Sequence, residues 1–236
     1  MGQSMRVIDD NLQAIRARIA RAATAAGRDP QSVTLLAVSK THPAALVEQA
    51  LAAGQRAFGE NYVQEAVEKI DVLAGKGIEW HLVGPLQSNK TKLVAERFDW
   101  VHSVESEKVA RRLSAQRPGG MAALNVLVQV NASGEASKSG APPADVPGLA
   151  QAICALPNLK LRGLMAIPEP GAPRARFRDV AELFGKLKAS FGVDTLSMGM
   201  SDDLEDAIAE GATMVRIGTA IFGARQKAAS AVFTPT

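Results

Sequence analysis

Cysteine is almost missing from this 236-residue chain: Cys154 stands alone. No disulfide can close within it, and a reducing compartment suits it best. Nor is there an apolar run near the roughly 18 residues that a membrane span needs, so no membrane-spanning helix is expected. The opening segment, MGQSMRVIDDNLQAIRARIARAATAAG, lacks the apolar stretch of a secretory leader. It carries Asp9 and Asp10 instead and repeats apolar residues at helical spacing, the start expected of a mature cytoplasmic protein. Charge of one sign is lacking too: 27 Lys and Arg against 24 Asp and Glu leave +3, with the two signs interspersed. Nucleic-acid binding usually needs a concentrated basic face, so no nucleic-acid partner is expected. The only histidines, His42, His81 and His102, fall on separate units, and with one isolated cysteine they form no zinc constellation. No metal site is predicted.

What is present is alternation. Apolar residues make up 47% and charged residues 22% of the chain, a globular composition. Eight short β-branched or apolar runs are separated by segments of helical period: TLLAVSK (34–40), QRAFGEN (55–61), EWHLVG (79–84), DWVHSV (99–104), LNVLVQVN (124–131), LRGLMAI (161–167), DTLSMGM (194–200) and MVRIGTA (214–220). Such βα units point to a parallel sheet. Eight of them predict a single (β/α)8 TIM barrel over residues 34–225, preceded by an N-terminal helical extension (1–33) and followed by a tail (226–236). A doubly wound open sheet is the alternative, since a strand count does not prove closure. Helix punctuation supports the reading: Pro43 and Gly54 bracket one helix, Ser88 can cap a second, and Ser201 and Gly211 can bracket a third. Cys154, in QAICALPN, is expected to be an inert thiol on the buried face of a helix. The polar connection NASGEASKSGAPPADVPG (131–148) is long enough to serve as a binding loop, with Lys138 a candidate contact.

In a barrel, residues at the C-terminal strand ends share one rim, where the chemistry sits. Here the run ends carry Ser39 and Lys40, Glu60 and Asn61, His81, His102 and Ser103, Asn131, Ser201 and Arg216. The last two runs add Gly199, Ser201, Gly218 and Thr219, where barrels commonly hold a phosphate on backbone amides. Asp202 and Asp203 would repel such a phosphate, so both carboxylates are expected to point away. A lysine nucleophile, a phosphate cradle and an arginine on one rim suit a phosphorylated aldehyde, with Lys40 forming a Schiff base. Pyridoxal phosphate meets these requirements, and so does the substrate of an aldolase-type barrel.

The stretches LLAVSKTHP, FGENYVQEA, WHLVGPLQSNK, LRGLMAIP, SMGMSDD and MVRIGTAIFGAR, in this order, resemble the pyridoxal phosphate homeostasis protein family, which is related to the barrel domain of alanine racemase. The resemblance runs from Leu35 to Arg225. It implies pyridoxal 5′-phosphate as cofactor, with the internal aldimine on Lys40, Arg216 facing the pyridine nitrogen, and Gly199, Met200, Ser201, Gly218 and Thr219 holding the phosphate. Asn61, His81 and Met165 would line the pocket around the ring. Arginine only donates and stays protonated, so it would leave the ring nitrogen unprotonated and the ring a poorer electron sink than one paired with a carboxylate.

The implied role is a carrier in vitamin B6 homeostasis and supply, handing the cofactor to apo-enzymes, with no catalytic residue assigned. The alternative is an amino-acid racemase. Two-base racemisation in the related enzymes takes a tyrosine from a second domain across a dimer. This chain has a single tyrosine, Tyr62, and stops soon after the eighth run. No second domain and a monomer are therefore expected. The NASGEASKSG stretch departs from the bulkier family pattern while keeping SKSG, and His42 receives no role.

Overall fold

Each βα unit has an apolar strand that must be covered on both faces, and eight such units satisfy this by closing on themselves. The computed structural model describes residues 2–133, 139–169 and 171–224. Within them, strands β1 (Thr34–Val38), β2 (Ala57–Glu60), β3 (Glu79–Leu82), β4 (Trp100–Val104), β5 (Leu124–Val130), β6 (Leu159–Ala166), β7 (Thr195–Ser197) and β8 (Met214–Ile217) form a closed parallel barrel in chain order. Closure is direct: β1 pairs with β8 in the register Thr34↔Met214 to Ala37↔Ile217. This is the (β/α)8 arrangement, and the open-sheet alternative falls.

The helices are α1 (Gly2–Ala25), α2 (Ala44–Ala52), α3 (Val63–Val72), α4 (Thr91–Arg97), α5 (Glu107–Gln116), α6 (Val146–Cys154), α7 (Arg174–Phe191), α8 (Leu204–Ala209) and α9 (Thr219–Phe222). Outward-facing strand residues such as Leu35, Ala37 and Phe58 pack with the helices in one large cluster. Inside the barrel sit two small apolar groups: Leu36, Ala57, Val83 and Met214, and then Trp100, Leu127 and Met165.

The N-terminal extension is a helix packed on the outside of the barrel. Ile8, Leu12, Ile15, Ile19 and Ala23 recur at three- and four-residue spacing and are all buried. Burying each large aliphatic side chain contributes about 1.5–3 kcal/mol, which holds α1 against its neighbours. Polar bonds then fix its register. Arg16 donates to Ala53 O at the end of α2, Asn11 to Ile221 O in α9, and Arg28 to Ile208 O and Ala212 O around the end of α8.

Four local expectations are corrected. Strand β6 begins at Leu159, two residues before the apolar run LRGLMAI. Ser88 opens a 3₁₀ turn and gives its carbonyl to the Thr91 hydroxyl, while α4 starts at Thr91. Helix α8 is capped at Asp203 rather than Ser201, because the chain first makes an extra turn after β7. Cys154 is exposed, because it is the last residue of α6 and the buried face is carried by Val146, Leu149, Ala150 and Ile153.

Candidate functional site

Side chains alternate along β1, so Leu36 and Val38 point into the barrel beside Gly59. Lys40 follows two residues later at the barrel mouth, half-buried. The turn that carries it is held from both sides. Lys69, buried on α3, donates to Ser39 O, to Glu60 Oε1 and to Glu65 Oε1, each at 2.7 Å. All three ammonium protons are thereby used. Ser39 Oγ donates to the same Glu60 oxygen at 2.6 Å, and the Thr41 amide donates to Glu65 Oε1 at 2.6 Å. Thr41 itself sits at φ +65°, a left-handed conformation that β-branched residues seldom adopt. Burial raises the Glu60 pKa, with Lys69 acting against it, and Glu60 Oε2 is buried with no partner among the described residues. The two residues that flank Lys40 are therefore bonded to one buried ion cluster.

On β8, the strand beside β1, Arg216 is buried. Its Nη1 donates to Ser197 Oγ and its Nη2 to Ala166 O, both at 2.8 Å. Burial lowers its pKa to about 10, with Asp203 opposing the shift, so it remains a cation at neutral pH. The β8–α9 turn is brought against the end of β1: a Cβ on Gly218 would lie 2.9 Å from Val38 O. Gly199 needs its φ of +94°, and a Cβ there would meet Ala207 Cβ at 2.5 Å. Thr219 begins α9, and the first amides of a helix have no acceptor within it.

This set can cradle an anion, with one correction. Asp203 does not point away: its Oδ1 accepts from the Met200 amide at 2.6 Å. Met200 N–H is thus engaged in this structure, and Ser201 is held through its carbonyl by Arg18 Nη1 at 2.8 Å. Arg18 also forms a bidentate pair with Glu205, so α1 braces the loop after β7.

Asn61 lies at the mouth, its Oδ1 buried without a partner among the described residues. It lines a cavity of about 250 Å³ with Val83, Gln129 and Ile167. An orphaned buried acceptor beside a cavity is what a bound polar ring would satisfy. His81 is placed deeper than a rim position. It is fully buried, with Nδ1 2.9 Å from His102 Nε2 and Nε2 2.8 Å from Glu79 Oε1. Met165 is also fully buried, packed with Trp100 and Leu127 in the barrel interior. Tyr62 is exposed at the start of α3, and Asn131 Oδ1 accepts from Ser133 in its own turn. Lys138 lies outside the described residues.

Sequence reasoning missed Lys69, Glu65, Glu79 and Ser197. Lys69 stands four residues after Glu65, a helical ion-pair spacing, and Ser197 shares the inward parity of Gly199. Those were the available signals.

The model of the alanine racemase N-terminal domain family matches residues 11–226. The chain is 61% identical over 231 residues to the pyridoxal phosphate homeostasis protein of Pseudomonas aeruginosa, covering 96% of this chain and 100% of that one. It is 55% identical over 229 residues to the protein of the same name from Escherichia coli, covering 94% and 98%. Among solved structures, PipY of Synechococcus elongatus with PLP bound matches with a TM-score of 0.77 at 38% identity, covering 92% of this chain and 100% of that chain.

Proposed function

This chain belongs to the pyridoxal phosphate homeostasis protein family, and from that premise we propose that it holds pyridoxal 5′-phosphate through a Schiff base on Lys40 and buffers and supplies the cofactor without catalytic turnover. The observation that carries the reading is the clamped turn around Lys40, set at the mouth beside the strand that carries Arg216 and the Gly218 turn. The Lys40 amine would hold the cofactor at its aldehyde carbon, one water being lost for the bond formed. The amides around Ser201, Gly218 and Thr219 would take the phosphate, Arg216 would donate to the ring nitrogen, and Asn61 Oδ1, without a partner among the described residues, would accept from the cofactor.

When bound, the cofactor supplies an electron sink. Arg216 would restrain it, because a donor-only cation can donate to a bare ring nitrogen but cannot accept a hydrogen bond from a protonated one, and so favours the unprotonated ring. Tyr62, the chain's single tyrosine, is 54% exposed at the N-cap of α3, which does not suit it to be a second acid–base group opposite Lys40. The products of this arrangement are bound and released cofactor, with PLP-dependent apo-enzymes as recipients.

Equilibrium dialysis of the purified chain against pyridoxal phosphate tests the binding, together with α-hydrogen exchange of alanine in deuterated water. Retained cofactor with visible-range absorbance and no exchange is expected. Exchange that disappears in Lys40→Ala would favour the racemase reading.

A further inference from the structure

A line of polar side chains crosses the barrel interior beneath the proposed cofactor site. Arg216 Nη1 lies 2.8 Å from Ser197 Oγ, which lies 3.2 Å from His102 Nδ1. His102 Nε2 lies 2.9 Å from His81 Nδ1, and His81 Nε2 lies 2.8 Å from Glu79 Oε1. Arg216, Ser197, His102 and His81 are buried, while Glu79 is half-exposed at the first residue of β3, at the end of the barrel opposite Lys40.

The chemistry of the two ends dictates where each proton lies. Arginine only donates, so Ser197 Oγ accepts from it and turns its own hydrogen toward His102 Nδ1. His102 then accepts at Nδ1 and, as a neutral imidazole, carries its hydrogen on Nε2, which donates to His81 Nδ1. By the same step His81 carries its hydrogen on Nε2 and donates to Glu79. An ionised carboxylate only accepts, so the line ends there consistently. Every bond runs the same way, with the oxygen or bare nitrogen toward the cation and the hydrogen toward the carboxylate. Each link therefore stabilises both terminal charges, and in a dry interior such aligned bonds reinforce one another.

The surroundings agree with neutral rings. Burial holds both imidazoles below their ordinary pKa, His102 well below, with His81 and Arg216 adding to that lowering; the bond from His81 lowers Glu79. The other charges acting on the line are Asp99 and Arg162 near His81 and Asp203 near Arg216. The ring planes are also fixed: Trp100 stacks on His81 with centroids 5.1 Å apart at 12°, and the Arg162 guanidinium covers Trp100 at 4.5 Å.

We propose that Glu79, His81, His102 and Ser197 form a uniformly directed hydrogen-bond chain that positions Arg216 and links the binding mouth to a carboxylate at the opposite end of the barrel. Ser197 and the two histidines are positioning residues: they act on a ligand only through Arg216. The consequence for binding rests on the reading of Arg216 given above, whereas the direction of the chain does not.

Two measurements on the full-length protein separate these. Long-range ¹H–¹⁵N NMR of histidine-labelled protein at pH 7.5 without cofactor reads the tautomers. His81 and His102 are both expected to be neutral with the hydrogen on Nε2; an imidazolium or an Nδ1–H form on either ring overturns the chain whatever the protein binds. The second compares affinity for pyridoxal phosphate with that for its analogue bearing carbon in place of the ring nitrogen, in the parent protein and in Ser197→Ala. Losing one hydrogen bond to the charged group is expected to reduce the preference for the ring nitrogen about tenfold. Equal weakening toward both ligands, with the preference intact, would make Ser197 a structural residue and overturn its positioning role. If the parent protein itself shows no preference, the reading of Arg216 fails while the tautomers still decide the chain.

Discussion

Lys69 Nζ donates to Ser39 O at 2.7 Å, so a buried lysine on α3 holds the peptide unit that leads directly into Lys40. Two lysines thus stand at the first strand end: Lys69 is consumed in structure, and its three bonds set the turn that carries Lys40.

Lys69→Met is predicted to destabilise the fold by about 3 kcal/mol, the lower end of what breaking a buried pair costs. The lower end applies because burial already raises the Glu60 pKa, so Glu60 can relieve its lost partner by protonating. Urea unfolding should show the loss, and adding Glu60→Gln should recover part of it. An unchanged midpoint in the single variant would remove the cluster from the account.

Thr41 sets two backbone terms against each other. A left-handed non-glycine residue costs about 1–2 kcal/mol, whereas glycine loses roughly 0.5–1 kcal/mol in chain entropy. Thr41→Gly should therefore raise stability by up to about 1.5 kcal/mol in the same assay, without moving the Glu65 contact to its amide. A lowered midpoint would show that the Thr41 side chain outweighs the strain.

The two glycines that follow β7 and β8, Gly199 and Gly218, should separate in their effects. Gly199→Ala combines φ +94° with a 2.5 Å approach to Ala207 Cβ, so a loss of at least about 2 kcal/mol is expected. Gly218 has φ −120°, which alanine adopts freely, and its conflict is confined to Val38 O at 2.9 Å. Gly218→Ala should shift the turn by tenths of an ångström, weakening cofactor binding more than folding. Dialysis and denaturation on both variants would check the contrast.

Acid should weaken the fold through the histidine pair. Both folded pKa values lie below the unfolded value near 6.5, so their stabilising contribution is present above that pH and is lost as the pH falls toward the folded values. Glu60 acts in the opposite sense, because its raised pKa adds stability as the pH drops through it. Replacing His102 with Gln should therefore flatten the decline below pH 6.5 by up to about 1.4 kcal/mol per pH unit, one proton's worth. Identical slopes for parent and variant would contradict buried neutral rings.

Much of the fold was legible because period and length are local signals. The eight apolar runs each contain or overlap a strand, and the stripe Ile8, Leu12, Ile15, Ile19 and Ala23 marks α1. At the site, Lys40, Arg216, Gly199 and Gly218 could be placed because strand ends and glycines announce themselves. What could not be read were the partners chosen across elements. Nothing local tells that Asp203 folds back on the Met200 amide or that Lys69 is buried. His81 reads as a rim residue because it stands near the end of its run, yet it is the third residue of β3 and its ring is buried in the interior, stacked on Trp100.

The central claim is the covalent hold of Lys40 on pyridoxal phosphate, and its most direct test is a peptide map after borohydride reduction. The protein loaded with cofactor is reduced, digested and read by mass spectrometry. The account predicts the pyridoxyl-phosphate mass on the peptide containing Lys40, and its absence from Lys40→Ala. A label found on Lys69 or Lys138 in place of Lys40, or no label on a protein that retains the cofactor, would contradict it.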